Sequence, residues 1–181
     1  MALGATVYKA TVDISDADRH YYAEHKLTLA CHPSETEARM MVRLLAFCLR
    51  AHPDLEFTRG LSTADEPDLW QKDPTGQIVE WIDVGQPALD RLKKARGRAG
   101  AVIVYSFGRG RDQWWQSEGS AIDALARLQV VHLSDEDVLS LAALAQKTMT
   151  LSVCISDGIV YLSTADATLT IQPRNTLDSD T

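Results

Sequence analysis

Alternating apolar and polar positions at the N-terminus predict a β-hairpin. The even-numbered positions from Thr6 to Ile14 are apolar or neutral, whereas Lys9, Thr11 and Asp13 lie on the opposite face. This period of two is typical of a half-buried strand. A polar turn at residues 15–18 then leads into a second extended run that ends near residue 30. We expect the two runs to pair with each other.

The pattern changes to helical spacing after His32-Pro33. Ser34, followed three residues later by Glu37, forms a capping box that predicts a helix start. Apolar residues then recur on one helical face, at Met41, Leu44, Leu45 and Cys48. Glu35 and Glu37 fall in the first turn, where carboxylates interact favourably with the helix dipole, and this role is sufficient to explain both.

Short apolar runs separated by turns predict strands in the middle of the chain. A strand over residues 56–61 precedes a loop at 62–65, and the turn Asp73-Pro74-Thr75-Gly76 precedes a strongly apolar strand over 78–84. Residues 66–70 fit either a strand start or a short helical turn. Alternation along the 78–84 strand places Asp83 on the same face as Trp81.

The remaining pattern completes an α/β fold. A helix over residues 87–98 separates the 78–84 strand from a buried strand over 101–107, so these two strands are predicted to be parallel. A helix from 111, a strand over 128–133, a helix over 134–146 and three short strands follow, the first two of these strands joined by the turn Asp157-Gly158. We expect one mixed central sheet with flanking helices, in a single compact domain over residues 1–173, and a frayed acidic tail over 174–181.

Composition narrows the function classes without selecting one. The formal charge of −7 argues against a broad nucleic-acid footprint, yet the basic residues concentrated between Arg91 and Arg111 leave room for a local basic groove. The three cysteines have no metal-ligand or redox spacing and are expected to be reduced. No run approaches the ~20 apolar residues of a membrane span. We therefore expect a soluble, cytoplasmic protein.

Two acidic positions on either side of the 73–76 turn are candidate metal ligands. Mg²⁺ and Mn²⁺ prefer a few carboxylate oxygens and complete their shell with water or substrate phosphate. Asp68 or Glu66, together with Asp83, is the minimum for such a site. The alternative is that these are solvated hairpin residues, as most acids are. Against that alternative, Asp83 ends an apolar strand, where an unpaired charge is costly.

The basic residues and the aromatic pair each have two interpretations. Arg91 and Arg96 would track phosphates beside the carboxylates, or they would form an exposed helix face with favourable charges at its C-terminal end. Arg109 and Arg111 would contact a phosphate or belong to a simple turn, and Trp114-Trp115 would stack on bases or serve as core. The five histidines are scattered, His132 is best explained as a satisfied core residue, and no serine lies in a nucleophile elbow.

Several sequence blocks resemble the YaeQ family of bacterial proteins. The blocks are HPSETEARMMVRLL, FTRGLSTADEPDLW, WIDVGQPALDRLKKA and KTMTLSVCISDGIVYLS, and together they span nearly the whole chain. The resemblance implies a compact variation on the PD-(D/E)XK nuclease core. It further implies that Pro67-Asp68 and Asp83 are its two metal-binding half-motifs, that Glu66 shares the first position, and that Glu35 or Glu37 is an outer ligand or orients a water.

One position departs from the parent nuclease pattern. That pattern has a lysine two residues after the second acid, whereas this chain has Gly85. Lys93 and Lys94, on the next helix, are the candidates to supply the missing charge. The resemblance thus implies phosphodiester hydrolysis with Mg²⁺ or Mn²⁺. The alternative is a non-catalytic module that keeps the fold and binds nucleic acid or a protein partner, because fold alone does not give function.

Overall fold

The computed structural model describes residues 4–59, 61 and 63–176, and these divide into two compact units. The first unit takes in the described part of residues 1–51 and 136–173, and the second takes in the described part of 52–135 and 174–181. No helix among the described residues is long and apolar enough to cross a membrane.

Fifteen elements follow one another along the described chain. They are β1 (Thr6–Asp16), β2 (Tyr21–Cys31), α1 (Glu37–Leu49), β3 (Leu55–Phe57), β4 (Leu69–Lys72), β5 (Ile78–Val84), α2 (Leu89–Arg98), β6 (Ala99–Ser106), α3 (Arg111–Asp123), β7 (Leu128–His132), α4 (Asp135–Ala142), β8 (Thr148–Ser156), β9 (Ile159–Ser163), β10 (Thr168–Ile171) and β11 (Arg174–Asn175).

The first unit contains a five-stranded mixed sheet in the order β10-β9-β8-β1-β2. Strands β1 and β2 form the predicted antiparallel hairpin. The face predicted to be buried on β1 is buried from Tyr8 to Ile14, whereas Thr6 is exposed. The predicted turn between β8 and β9 is also confirmed, since Asp157 and Gly158 both have positive φ, at 54° and 74°, as a two-residue hairpin turn requires. Strand β8 pairs in parallel with β1, which brings residues distant in sequence into one sheet.

Helix α1 starts later than the capping box predicts. Its N-cap is Thr36, whose Oγ1 accepts a hydrogen bond of 3.1 Å from the backbone N–H of Arg39. Glu35 therefore lies before the helix, where it forms a buried ion pair with Arg43 at 2.7 Å. Glu37 is in the first turn, as predicted. The prediction of a Ser34 cap is wrong because the hydroxyl that accepts from a free N–H of the first turn is that of Thr36.

The second unit contains a six-stranded sheet in the order β11-β7-β6-β5-β4-β3. Its centre is parallel: β5 and β6 pair in parallel, as predicted, and β7 pairs in parallel with the other edge of β6. The other strand pairs are antiparallel. The prediction of one mixed sheet is thus corrected to two mixed sheets and four helices among the described residues. The cause is the long-range pairing of β1 with β8, which periodicity along the chain cannot reveal.

Two predicted segments touch residues that the structure does not describe. The strand predicted over 56–61 is observed in part as β3, and the predicted range includes Gly60, which lies outside the described residues. The same is true of Ser62 in the predicted loop. Within the predicted tail, Arg174 and Asn175 form β11 against His132 and Val131. Residues 177–181 of that tail lie outside the described residues.

Helices α2 and α3 cover the hydrophobic core on one face of the second sheet. This core consists of Trp81, Leu92, Ala95, Ala99, Val102, Val104, Trp114, Ile122 and Val130. Trp114 is buried there, and the Trp115 ring lies so close to Gly119 that a Cβ at that position would be 2.8 Å from it. Both tryptophans thus serve packing, which is the core interpretation of the pair.

The close approach of the β6 and β5 backbones at Gly100 can be tested by substitution. A Cβ at Gly100 would lie 2.9 Å from the backbone oxygen of Val79, and backbone cannot yield as a flexible side chain does. We expect Gly100→Ala to lower the free energy of unfolding by about 1–3 kcal/mol, measured by urea denaturation.

Gly97 provides the matched control for this substitution. It lies in the last turn of α2, and a Cβ added there would have no atom within 4 Å. Gly97→Ala should therefore stabilise the protein by up to about 1 kcal/mol through helix propensity. Equal effects of the two substitutions would contradict the β5–β6 geometry.

Candidate functional site

The two candidate aspartates lie opposite each other on neighbouring strands. Strand β4 is antiparallel to β5 and pairs Leu69 with Ile82, so that the next pair in this register is Asp68 with Asp83. The backbone N–H of Asp68 donates to the carbonyl of Ile82 at 3.0 Å, and Asp68 Oδ2 accepts from the N–H of Val84 at 2.8 Å. Both aspartates are buried, with exposures of 5% and 2%. They are therefore not solvated hairpin residues.

Arg91 binds both carboxylate oxygens of Asp83. Its Nε donates to Oδ2 and one terminal nitrogen donates to Oδ1, each at 3.0 Å. The indole N–H of Trp81 donates to Oδ2 at 3.1 Å. A bidentate guanidinium–carboxylate pair is among the strongest polar contacts in proteins. Asp83 is thus a fully paired carboxylate, and its negative charge is offset from within the chain.

The same guanidinium also holds the segment that precedes Asp68. Arg91 donates to the carbonyls of Ala64 and Glu66, so that four of the five guanidinium N–H groups are used within the protein. Arg98, two helical turns further along α2, donates to the carbonyl of Asp65 at 2.7 Å. The hydrogen bond to Asp83 is the main cause that raises the pKa of Arg91, which stays charged.

Trp81 lies beside both arginines and completes this cluster. The Cζ atoms of Arg91 and Arg98 are 5.8 Å and 5.1 Å from the centroid of its ring, within the range of cation–π attraction. We call Trp81, Asp83, Arg91 and Arg98 the arginine–aspartate cluster. Its members come from β5 and from the helix that follows it, so a short stretch of chain supplies all four.

The residues of this cluster do not fit a bound divalent ion in the observed arrangement. A metal needs free carboxylate oxygens, and Asp83 has none that is unpaired. Glu66 is half-buried, and its Oε2 accepts from the N–H of Arg59 at 3.4 Å. Among the residues that the structure describes, no three His, Cys, Asp or Glu side chains come together to hold a metal. Arg91 supplies the positive charge instead.

The position of the missing lysine has a backbone conformation suited to glycine. Gly85 has φ of +105°, and its N–H donates to the carbonyl of Tyr105 at 2.9 Å. A lysine would be strained here because side chains disfavour positive φ. Lys93 and Lys94 on α2 are exposed and make no hydrogen bond or ion pair with any described residue.

Glu37, the predicted outer ligand, belongs to the first unit. It accepts a hydrogen bond of 2.8 Å from the Tyr8 hydroxyl, which raises the pKa of that hydroxyl.

The other predicted phosphate-binding arginines differ in how far they are already engaged. Arg111 pairs with Asp112 at 3.0 Å and donates to the carbonyl of Leu133 at 2.7 Å. Arg96 donates once, to the carbonyl of Ala99 at 3.2 Å. Arg109 is exposed and has no partner among the described residues. The positive φ of Gly108 and Gly110 on either side of Arg109 agrees with the turn interpretation of this loop.

Sequence reasoning missed the partner of each buried polar residue at the ends of the parallel strands. Ser106 is fully buried and hydrogen-bonds to Nδ1 of His132, while the edge of Trp115 packs on the His132 ring. Burial, followed by the nearby charge of Arg111, lowers the pKa of His132. His132 is thus hydrogen-bonded, as predicted, but it is half-buried and not a core residue. For Asp83, the sequence contained one indication of its partner. An acid at the end of a buried strand needs a nearby cation, and Arg91 is the first cationic residue after Asp83.

A double-mutant cycle tests whether Asp83 and Arg91 act as a pair. We expect Arg91→Met to lower the free energy of unfolding by about 2–4 kcal/mol, since it leaves the buried carboxylate of Asp83 without its cation. Asp83→Asn should cost less, about 1–3 kcal/mol, because the Arg91 side chain that it leaves unpaired is 32% exposed and partly solvated. The double variant should lose about 1–3 kcal/mol less than the sum. Chemical denaturation of the four proteins measures this coupling.

The pair of Arg111 with the exposed carboxylate of Asp112 is the control for the cycle. The Asp112 side chain is 80% exposed, compared with 3% for Asp83, so its coupling to Arg111 should stay below about 0.5 kcal/mol. If the loss of unfolding free energy in the double variant equalled the sum of the two single losses, Asp83 and Arg91 would have no specific coupling.

Comparisons with known proteins agree with the resemblance predicted from the sequence. The family model described as "YaeQ protein" matches residues 1–173. The "Uncharacterized protein YaeQ" of Escherichia coli K12 is 44% identical over 164 residues, covering 90% of this chain and 91% of that protein. The Salmonella typhi protein of the same name is 44% identical over 173 residues, covering 95% and 96%.

Solved structures of the same family agree with this fold. The crystal structure of YaeQ protein from Xanthomonas axonopodis pv. citri has a TM-score of 0.92 and 45% identity, covering 95% of this chain and 98% of that chain. The crystal structure from Pseudomonas syringae has a TM-score of 0.91 and 34% identity, with coverage of 95% and 96%. The chain belongs to the YaeQ protein family.

Proposed function

We propose that the second unit binds the phosphate backbone of a nucleic acid, without a metal ion, through the exposed face of helix α2. The observation that supports this proposal is the contrast between two neighbouring sets of charges. Lys93 and Lys94 are exposed and make no ion pair with any described residue, whereas the nearby carboxylate of Asp83 is already paired with Arg91. The helix therefore offers cations that a phosphate can reach.

The charge distribution along α2 favours an anionic partner. Helix α2 contains five cationic side chains and a single acidic one, Asp90. This concentration occurs in a protein whose formal charge is −7. Because exposed charges are screened over about 10 Å in 0.1 M salt, a phosphate beside α2 senses this helix more than the distant acids. Local attraction is thus compatible with the overall negative charge.

The chemistry of the available groups points to backbone contacts without sequence preference. Lysine is a flexible point charge that binds a phosphate without bidentate geometry, and phosphate contacts carry no base information. Neither Trp114 nor Trp115 is free for base stacking, because both pack within the second unit. We therefore expect modest affinity with a strong dependence on salt.

Replacing both lysines tests this proposal. Lys93→Gln/Lys94→Gln should weaken binding to single-stranded DNA by about 10- to 100-fold at about 50 mM salt, since about 0.7 counterions are released per contact. The slope of log K against log salt should become shallower by about 1.4. Fluorescence anisotropy of a labelled oligonucleotide, titrated at several salt concentrations, measures both quantities.

Lys9→Gln/Lys26→Gln is the matched control. Both of these lysines are exposed, make no ion pair with any described residue, and lie on β1 and β2 of the first unit. The control removes the same charge and should leave the salt slope nearly unchanged. Equal weakening by the two double variants would exclude a site on α2, and no binding by the unaltered protein would exclude the proposal altogether.

A second candidate function is supported by the facing positions of Asp68 and Asp83. In a metal-dependent phosphodiesterase of the nuclease-like type, which the resemblance implies, Asp68, Asp83 and Glu66 would hold Mg²⁺ or Mn²⁺. Lys93 or Lys94 would then offset charge on the phosphate. This function requires Arg91 to leave Asp83, so the strength of that ion pair decides between the two candidates.

Titration of Mn²⁺ by calorimetry separates the candidates without a choice of substrate. If the Asp83–Arg91 pair excludes metal, the unaltered protein should give no saturable heat. Saturable binding that disappears in Asp83→Asn would establish the metal site and overturn the metal-free proposal. Arg91→Gln shows whether the guanidinium is the obstacle, because this variant should then bind Mn²⁺ more tightly than the unaltered protein. Circular dichroism confirms that each variant is folded.

A further inference from the structure

We propose that a cleft at the C-terminal end of α2 is a separate binding site for a phosphate monoester. The cleft has a volume of about 640 Å³ and is lined by the last turn of α2, the start of β5 and β6, the turn between β4 and β5, and Arg127. This volume is within the range of small-ligand sites, about 300–1,000 Å³. The proposal that the phosphate comes from the end of a nucleic-acid strand rests on the proposed function. The proposal that the cleft binds a phosphate monoester does not depend on it.

Three arginines and one aspartate give the cleft a positive lining. The arginines are Arg96, Arg98 and Arg127, and the acid is Asp73. Asp73 is held by its own turn, since its Oδ1 accepts from Thr75 N at 2.8 Å, Thr75 Oγ1 at 2.6 Å and Gln77 N at 3.0 Å. The hydrogen bond from the Thr75 hydroxyl is the main cause that lowers the pKa of Asp73. Asp73 is thus an ionised turn residue that removes one positive charge from the lining.

Arg127 is the arginine of the cleft whose side chain has no partner among the described residues. Its guanidinium makes no hydrogen bond or ion pair with any residue that the structure describes. Its φ is +57°, a left-handed conformation that strains a non-glycine residue. The backbone is fixed there, because the carbonyl of Arg127 accepts from the N–H of Val102 at 3.0 Å. Strained non-glycine residues of this kind cluster at ligand sites.

The other two arginines offset charges that would otherwise repel an anion. Arg96 and Arg98 lie in the last turn of α2, where unpaired carbonyls create a partial negative charge. Each donates one hydrogen bond to a carbonyl, Arg96 to Ala99 and Arg98 to Asp65. Both guanidinium groups are therefore partly engaged by carbonyl oxygens, whereas that of Arg127 contacts no described residue.

A phosphate monoester matches this lining better than a phosphodiester does. A monoester carries a charge of about −1.5 to −2 at neutral pH, and the three arginines with Asp73 carry a formal charge of +2. Guanidinium groups also bind phosphate oxygens in bidentate geometry. The 5′-phosphate of a strand lying along α2, or that of a free nucleotide, supplies this group.

Affinity for a terminal phosphate tests the cleft. The probes are one single-stranded DNA oligonucleotide with a 5′-phosphate, the same strand with a 5′-hydroxyl, and adenosine 5′-monophosphate. We expect the 5′-phosphate to raise the affinity of the unaltered protein about tenfold, as one good charge-assisted contact does. Arg127→Gln should abolish this difference. Arg127→Gly, which relieves the strained φ, should abolish it as well, and this excludes misfolding as the cause.

Arg174→Gln is the matched control, because the Arg174 side chain is also exposed, has no partner among the described residues, and lies on β11 of the same unit. This variant should keep the 5′-phosphate preference. The cleft site would be overturned if all three variants lost the 5′-phosphate preference. It would also be overturned if the unaltered protein showed no such preference and did not bind the nucleotide.

The probes also separate the cleft from the proposed strand-binding face. Binding of adenosine 5′-monophosphate that depends on Arg127, with no binding of either strand, would support the cleft and overturn nucleic-acid binding by α2. The opposite outcome is that both strands bind with equal affinity, that this binding depends on Lys93 and Lys94, and that the nucleotide does not bind. It would support the α2 face and overturn the cleft.

Discussion

The ion pair between Asp83 and Arg91 is the contact on which the rest of the second unit's candidate surface depends. Removing a carboxylate from water costs several kcal/mol unless its charge is met by good geometry and further hydrogen bonds. Both conditions hold at Asp83, which accepts three hydrogen bonds from Arg91 and Trp81. The same guanidinium holds the carbonyls of Ala64 and Glu66. One arginine thus joins β5, α2 and the segment before β4.

This pairing determines which charges the unit presents. Had Asp83 been unpaired, two facing carboxylates would have formed an acidic site that repels phosphate and attracts cations. With Arg91 in place, the exposed charges of α2 are mainly Lys93, Lys94 and Arg98, against Asp90. The positive cleft at the end of the same helix extends this character. The proposed binding of an anionic partner rests on this distribution of charge.

Local pattern predicts individual elements well where packing and local preference agree. The bounds of β5 and β9 follow from β-branched runs between turns, and the Asp157-Gly158 turn follows from its dipeptide. Prediction is wrong where two local signals compete. Ser34 and Thr36 are both good caps, and Thr36 is the one whose hydroxyl binds the helix N–H. The division into two sheets is missed because β1 pairs with β8 across more than half the chain.

The sequence by itself determined the family, the hairpins, the parallel β5–β6 pair and the closeness of Asp68 and Asp83 across a turn, because each depends on residues near in sequence or on a matching pattern. Only the tertiary structure decided what those aspartates contact. The positions of the five cationic residues along α2 do not show which of them faces the sheet, because that depends on the angle at which the helix packs. Nor does it reveal that Arg127 and Arg96, distant in sequence, line one cleft. Charges act through space, and the fold sets the distances.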